Sequence, residues 1–229
     1  MIAACSGGAG DLIYYIQILK QLSVETIYIK ENYYHPPHGN LCQTMKRIME
    51  SQGFVVIPTS GAYHLYQFDP ALKFDYNLDN FRLQPRRGSR HIMERMAEHF
   101  KVNYSFKPWI QNIPDSDLPK PYTIIHLTER WRDGSRVDWR KVLQSITGKI
   151  YFTGFQHEWT DFNITAGSVE WLPTEDIYDM AVLINGASAV YCNQSIALTL
   201  AQGLGKEYWL DRKPGKRTTL MFTKNEHLL

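Results

Sequence analysis

Asp11 closes the stretch CSGGAGD, where three glycines and an acid stand between a short apolar run and a helical pattern. An aspartate there can take a proton from a substrate hydroxyl, cap a helix, or merely close a strand-to-helix turn. Gly7, Gly8 and Gly10 permit a tight turn and a close backbone approach to a ligand. Their spacing does not fit GxGxxG, and no Lys-Ser/Thr pair follows to make a P-loop. A dianion held directly on this turn would be repelled by Asp11. A carboxylate turned toward an acceptor suits the charges better.

Three other loops carry groups of the right chemistry. TERWRDGSR places Arg130, Arg132 and Arg136 after an apolar run that ends near Thr128. Guanidinium forks match phosphate oxygens, although the same residues can simply pair with Glu129 and Asp133. TGFQHEW supplies Gly154, His157 and Glu158, whose carboxylate can accept from ribose hydroxyls or cap a helix. CNQS places Asn193, Gln194 and Ser195 ahead of an apolar helix, as a diphosphate seat or as an ordinary cap. His35-Pro-Pro-His38 has no further ligands at metal spacing and reads as a surface turn. Arg86 to Arg90, RRGSR, reads as a solvated charge cluster that an anionic acceptor could touch.

The elements that must position these loops alternate. Ile2 to Cys5 reads as a strand, and Leu12, Tyr15, Ile16, Leu19 and Leu22 follow helical spacing from Asp11 onward. ETIYIKE, NLCQTMKRIMESQG and FVVIPT continue as strand, helix closed by Gly53, and strand. Residues 61–90 are irregular and aromatic-rich, and HIMERMAEHF reads as a helix. NIPDSDLPKPY, with three prolines in eleven residues, reads as a linker. The alternation then resumes: YTIIHLT, a helix over 139–146, GKIYFTG, a short strand at SVEWLP, a helix at TEDIYDMAVLINGA, SAVYCN, a helix at SIALTLAQGLG, and KEYWLD as the last strand. Such order predicts parallel sheets with crossover helices, in which ligands sit at the carboxyl ends of strands.

Composition narrows the class. Of 229 residues, 44% are apolar and 21% charged, an ordinary balance for a globular chain with a core. A net charge of +2 gives no case for nucleic-acid binding. Three scattered cysteines without CxxC spacing argue against a disulfide scaffold and a structural zinc site. No apolar run approaches the ~20 residues of a membrane span, and the N-terminus does not read as a signal peptide, so the expectation is a cytoplasmic protein. Its three Asn-X-Ser/Thr sequons are then chance matches.

Together these stretches resemble the ADP-heptose:lipopolysaccharide heptosyltransferase family, glycosyltransferases of the two-lobed GT-B fold. GGAGDLIYYIQILKQL is similar to that family's GG-x-GD start and following helix. DIYDMAVLINGASAVYCNQSIALTLAQGLGK is similar to the segment that leads into its nucleotide-binding turn, and IYFTGFQHEW to the preceding strand and acidic loop. The resemblance implies an α/β chain of two small Rossmann-like, doubly wound lobes with a cleft between them. Residues 1–116 would take the acceptor side and 117–229 the nucleotide-sugar side. It implies inverting, metal-independent transfer from a nucleotide-diphosphate sugar to a glycan or other hydroxyl, with no further cofactor. Asp11 matches the family's base. Thr128 and Arg130 match its diphosphate contacts, and Glu158 its ribose-binding acid. Asn193, Gln194 and Ser195 fall on its Asp-Thr-Gly turn, with Gln194 in place of the Asp and Ile196 of the Gly, and Thr199 stands where His is usual. Gly8, Gly10, Arg132 and Gly154 complete the expected binding set. Two other readings stand beside this one: a nucleotide- or glycan-binding protein without chemistry, favoured by the altered turn, and a sugar-nucleotide epimerase-like enzyme.

Overall fold

The computed structural model describes residues 1–31, 40–59, 68–83, 91–105, 107–129, 137–212 and 226–229. Two compact units result, Met1–Asn112 with Asp176–Tyr178, and Ile113–Glu175 with Asp179–Leu229. The passage falls at Asn112, ahead of the prolines rather than after residue 116. Hydrogen bonds explain why. Gln111 still exchanges bonds with Gln52 of the first unit, at 2.9 and 2.5 Å. Ile113 already accepts from Asn185 of the second, at 2.9 Å. Asn112 between them takes φ +57°, a left-handed conformation that asparagine tolerates better than most residues.

In the first unit four parallel strands run in the order β3-β2-β1-β4. They are β1 (Ile2–Cys5), β2 (Thr26–Lys30), β3 (Val55–Thr59) and β4 (Tyr76–Asn77). The helices are α1 (Ala9–Gln21), α2 (Leu41–Ser51) and α3 (Ile92–Phe100), and a 3-10 segment, Leu78–Leu83, follows β4 directly. All residues from Leu12 to Leu19 on α1 are buried, so this helix lies inside the unit rather than along its surface. The start of α1 differs from expectation. The helix begins at Ala9, not Asp11, and Gly8 is its cap: the Gly8 carbonyl accepts from the Asp11 and Leu12 amides at 3.0 and 3.2 Å. Asp11 sits in the first helical turn, where a negative charge still meets the positive end of the helix.

The second unit holds six parallel strands in the order β10-β9-β8-β5-β6-β7. The strands are β5 (Tyr122–His126), β6 (Lys149–Phe152), β7 (Glu170–Trp171), β8 (Ala189–Asn193), β9 (Tyr208–Asp211) and β10 (Glu226–Leu228). Helices α4 (Trp139–Ser145), α5 (Gln156–Thr165), α6 (Ile177–Gly186) and α7 (Ile196–Leu204) connect them. Ile125, Leu127, Phe152, Phe162 and Tyr191 form one core cluster, against which Trp139 and Leu143 of α4 pack. Two elements depart from expectation. Helix α5 occupies what reads as an acidic loop, because Phe162 is its one buried apolar residue, with Trp159 packed half-buried against the core, while Glu158 closes its first turn. β10 pairs beside β9, so KEYWLD is not the last strand; EHL is too short and polar to signal one. Among the described residues, no helix is long and apolar enough to cross a membrane.

Candidate functional site

Each sheet reverses its strand order once, and the crevice outside such a reversal is where open α/β sheets bind ligands. In the first unit the reversal lies between β1 and β4. In the second it lies between β5 and β8. The chemistry-bearing residues gather at these two places.

At the β1/β4 reversal, Ser6 leaves the strand and gives both its amide and its hydroxyl to Asp79 Oδ2, at 2.7 and 2.8 Å. Asp79 is 1% exposed. Burial pushes its carboxyl above the ordinary value; the Ser6 bonds and the Lys30 charge pull it back only in part. Arg82, one 3-10 turn further on, forms an ion pair with Asp11. The Tyr15 hydroxyl donates to the Leu78 carbonyl at 2.5 Å and so fastens α1 to the 3-10 segment that carries both residues. Gly7 is required for space: a Cβ there would lie 3.1 Å from Asp79 Oδ1 and 3.2 Å from Asp11 Oδ2. Gly8 differs. Its φ of −73° is open to any residue, and among the described residues a Cβ would meet nothing within 4 Å, so room lies beside it. Gly10 is the second residue of α1, inside the helix rather than in the turn.

At the β5/β8 reversal, His126 Nδ1 lies 3.0 Å from the hydroxyl of Ser195, the residue that caps α7. The Ser195 side chain makes no capping bond to the helix amides. A hydroxyl and a helix N-terminus are thus presented together, the arrangement that suits phosphate oxygens. Asn193 is fully buried, and its amide group takes the Thr128 N–H at 3.2 Å and donates to the Thr128 carbonyl at 2.8 Å. Gln194 is also buried. Thr199 donates to the Ile196 carbonyl within α7, at 2.8 Å. Glu158 is 3% exposed and accepts from the Glu129 and Phe155 amides at 3.1 and 3.2 Å, tying α5 to the loop after β5. Gly154, at φ +137°, lets that carboxylate close over it; a Cβ would lie 3.1 Å from Glu158 Oε2.

The structure thus brings Asp11 and Gly8 together in one unit, and Thr128, Gly154, Glu158, Asn193, Gln194 and Ser195 in the other. Arg130, Arg132 and Arg136 lie outside the described residues, as do His35, His38 and residues 86–90. Three participants escape sequence reading: Asp79, Arg82 and His126. Their signals are faint, an Asp and Arg three apart in YNLDNFRL and one histidine at the end of a buried strand. Among the described residues, no group of three or more His, Cys, Asp or Glu side chains is placed to hold a metal ion.

Two parallel, doubly wound units with this order of elements define the GT-B fold of glycosyltransferases. Among solved structures, the chain is similar to E. coli heptosyltransferase WaaC with ADP-2-deoxy-2-fluoro heptose, at 16% identity and a TM-score of 0.63, over 100% of this chain and 92% of that one. A family 9 glycosyl transferase from Veillonella parvula matches at 12% identity and a TM-score of 0.57, over 100% and 86% of the two chains. The dodecameric iron-containing heptosyltransferase TibC matches at 11% identity and a TM-score of 0.57, over 99% of this chain and 61% of that one. At such identities the likeness is one of fold. No family model matches the sequence, and no curated protein matches it.

Proposed function

We propose that the protein is a glycosyltransferase that moves a sugar from a nucleoside diphosphate sugar to an acceptor hydroxyl. The observation that carries this reading is the placement of Asp11 at the strand reversal of a GT-B unit, beside the open space at Gly8. The fold neighbours that hold ADP or an ADP-sugar support a nucleoside diphosphate donor.

The first unit receives the acceptor. Asp11 takes the hydroxyl proton as the new carbon–oxygen bond forms at the anomeric carbon, and the nucleoside diphosphate leaves with the electrons of the broken bond. The second unit holds that diphosphate at Ser195 and the start of α7, with Thr128, Arg130 and Arg132 completing the set. Positive groups and amides fixed in advance stabilise the charge that grows on the leaving group. Gly154 and Glu158 shape the ribose side, and Asn193 and Gln194 form the floor of the turn. Direct displacement inverts the anomeric centre and proceeds without a metal ion.

Calorimetry with ADP, UDP and GDP tests donor binding; a mass-spectrometric screen of nucleotide sugars against glycan acceptors tests transfer. Binding of one diphosphate together with transfer that depends on Asp11 is the expected result. Binding without turnover of any pair would instead make this a nucleotide-binding protein. The altered turn at Gln194, and the Asn193 and Glu158 side chains bonded to main chain, favour that second reading.

A further inference from the structure

We propose that Arg82 is the positioning residue of Asp11: it holds one carboxylate oxygen so that the other faces the acceptor hydroxyl. This rests on the reading of Asp11 as the base. The guanidinium Nη2 meets Asp11 Oδ2, and the pair is largely shielded, with side-chain exposures of 26% and 16%. A cation against one oxygen restricts rotation of the carboxylate and leaves the second oxygen's lone pairs for a proton.

Arg82 is itself held. Its guanidinium lies over the Phe81 ring at 5.0 Å, and Nε stands 4.0 Å from Asp79 Oδ1. Asp79 is locked in turn by the two Ser6 bonds on its other oxygen. A line of contacts therefore runs from the end of β1 through Asp79 and Arg82 back to the first turn of α1.

Charge gives Arg82 a second task. Asp11 Oδ2 and Asp79 Oδ1 both lie close to where a Gly7 side chain would start. Two carboxylates that share so small a space resist ionising together unless a cation stands between them. Lys30, from β2, acts on Asp79, and burial keeps the Cys5 thiol of β1 neutral. Among the described residues, Arg82 is the cation that contacts Asp11, and by this charge it keeps Asp11 ready to accept a proton.

The test uses the full chain and carbon-13-labelled aspartate, with the Asp11 carboxyl resonance assigned by Asp11→Asn. In Arg82→Gln the Asp11 titration should move up by ~1–3 pH units. Transfer at neutral pH should fall ~10- to 100-fold, the scale of a misplaced catalytic group. The acid limb of the transfer profile should move up with the titration, while nucleoside diphosphate affinity stays unchanged. Arg82→Lys, which keeps a cation, should recover most of the shift. If Arg82→Gln does not fold, Arg82→Met, which keeps an apolar stem over Phe81, reads the same quantity. An Asp11 carboxyl that titrates identically with and without the guanidinium overturns the proposal. A protein that binds donor but transfers nothing would count against the enzyme, and the carboxyl titration would still decide the role of Arg82.

Discussion

Asn193 and Thr128 grip each other twice: the Asn193 side chain accepts the Thr128 N–H at 3.2 Å and donates to the Thr128 carbonyl at 2.8 Å. The bridge fixes the ends of β5 and β8 at the place where the strand order of the second unit reverses. Asn193 thereby sets where Thr128 and Ser195 stand.

We predict that Asn193→Asp lowers stability by ~1–3 kcal/mol at neutral pH, because the variant loses the donor and leaves the Thr128 carbonyl bare. The new carboxyl would be buried, with a folded-state pKa above its unfolded value. The variant should therefore be least impaired at acid pH, and its deficit should grow as pH rises through the folded pKa. Urea unfolding at pH 4 and pH 7 measures both. Equal stability of variant and wild type at pH 7 would show the bridge to be idle.

Asp11→Asn is predicted to fold and to bind donor normally, while transfer drops ~10²–10⁴-fold. The expectation rests on the first helical turn, since Gly8 rather than Asp11 caps α1. Steady-state rates and calorimetry on one preparation separate the two properties. Full turnover by the Asn variant would remove Asp11 from the chemistry.

Gly7→Ala and Gly8→Ala should part company. The first pushes a methyl against two carboxylates and is predicted to destabilise the protein and displace Asp11. The second finds open space at φ −73° and should cost under ~1 kcal/mol, the usual difference between cap residues. Thermal melts of both variants check the ranking; a larger loss at Gly8 would contradict it.

Asp79 carries a pH signature. Its folded-state pKa is raised, so its contribution to stability is complete below the unfolded carboxyl value and is lost as pH rises through the folded one. Asp79→Asn removes that dependence, and an amide oxygen can still accept from Ser6. The wild type should lose ground relative to the variant between pH 4 and pH 7 in parallel urea titrations. A gap that widens the other way would mean that the Arg82 and Lys30 charges outweigh burial.

Replacing the proposed diphosphate seat tests the proposed division of labour. Ser195→Ala and Arg130→Ala are each predicted to weaken nucleoside diphosphate binding, Arg130→Ala by ~1.5–3 kcal/mol, the range for a hydrogen bond to a charged group. Calorimetry decides, and normal binding in both variants would move the donor elsewhere.

The alternation of strands and helices was legible because it is local. Periods of two and 3.6, glycine at helix ends and proline between the units act within a few residues. The resemblance likewise brought Asp11 and the Asn193–Ser195 turn to notice through short motifs. Helix α5 was not legible, since one buried phenylalanine and a capping glutamate give almost no periodicity. The start of α1 was misread at Asp11, three residues beyond the Gly8 cap, because glycine and aspartate can both open a helix and the extended backbone at Gly8 decided between them. Asp79, Arg82 and His126 acquire meaning only from partners far along the chain: Ser6, Asp11 and Ser195. Parallel strands with crossover helices carry each strand's end back to the same edge, so residues remote in sequence meet beside the strand reversal. Sequence thus determined the elements and the kinds of chemistry, whereas the order of strands within each sheet decided which side chains meet, because that order is set by long-range pairing that no local pattern records.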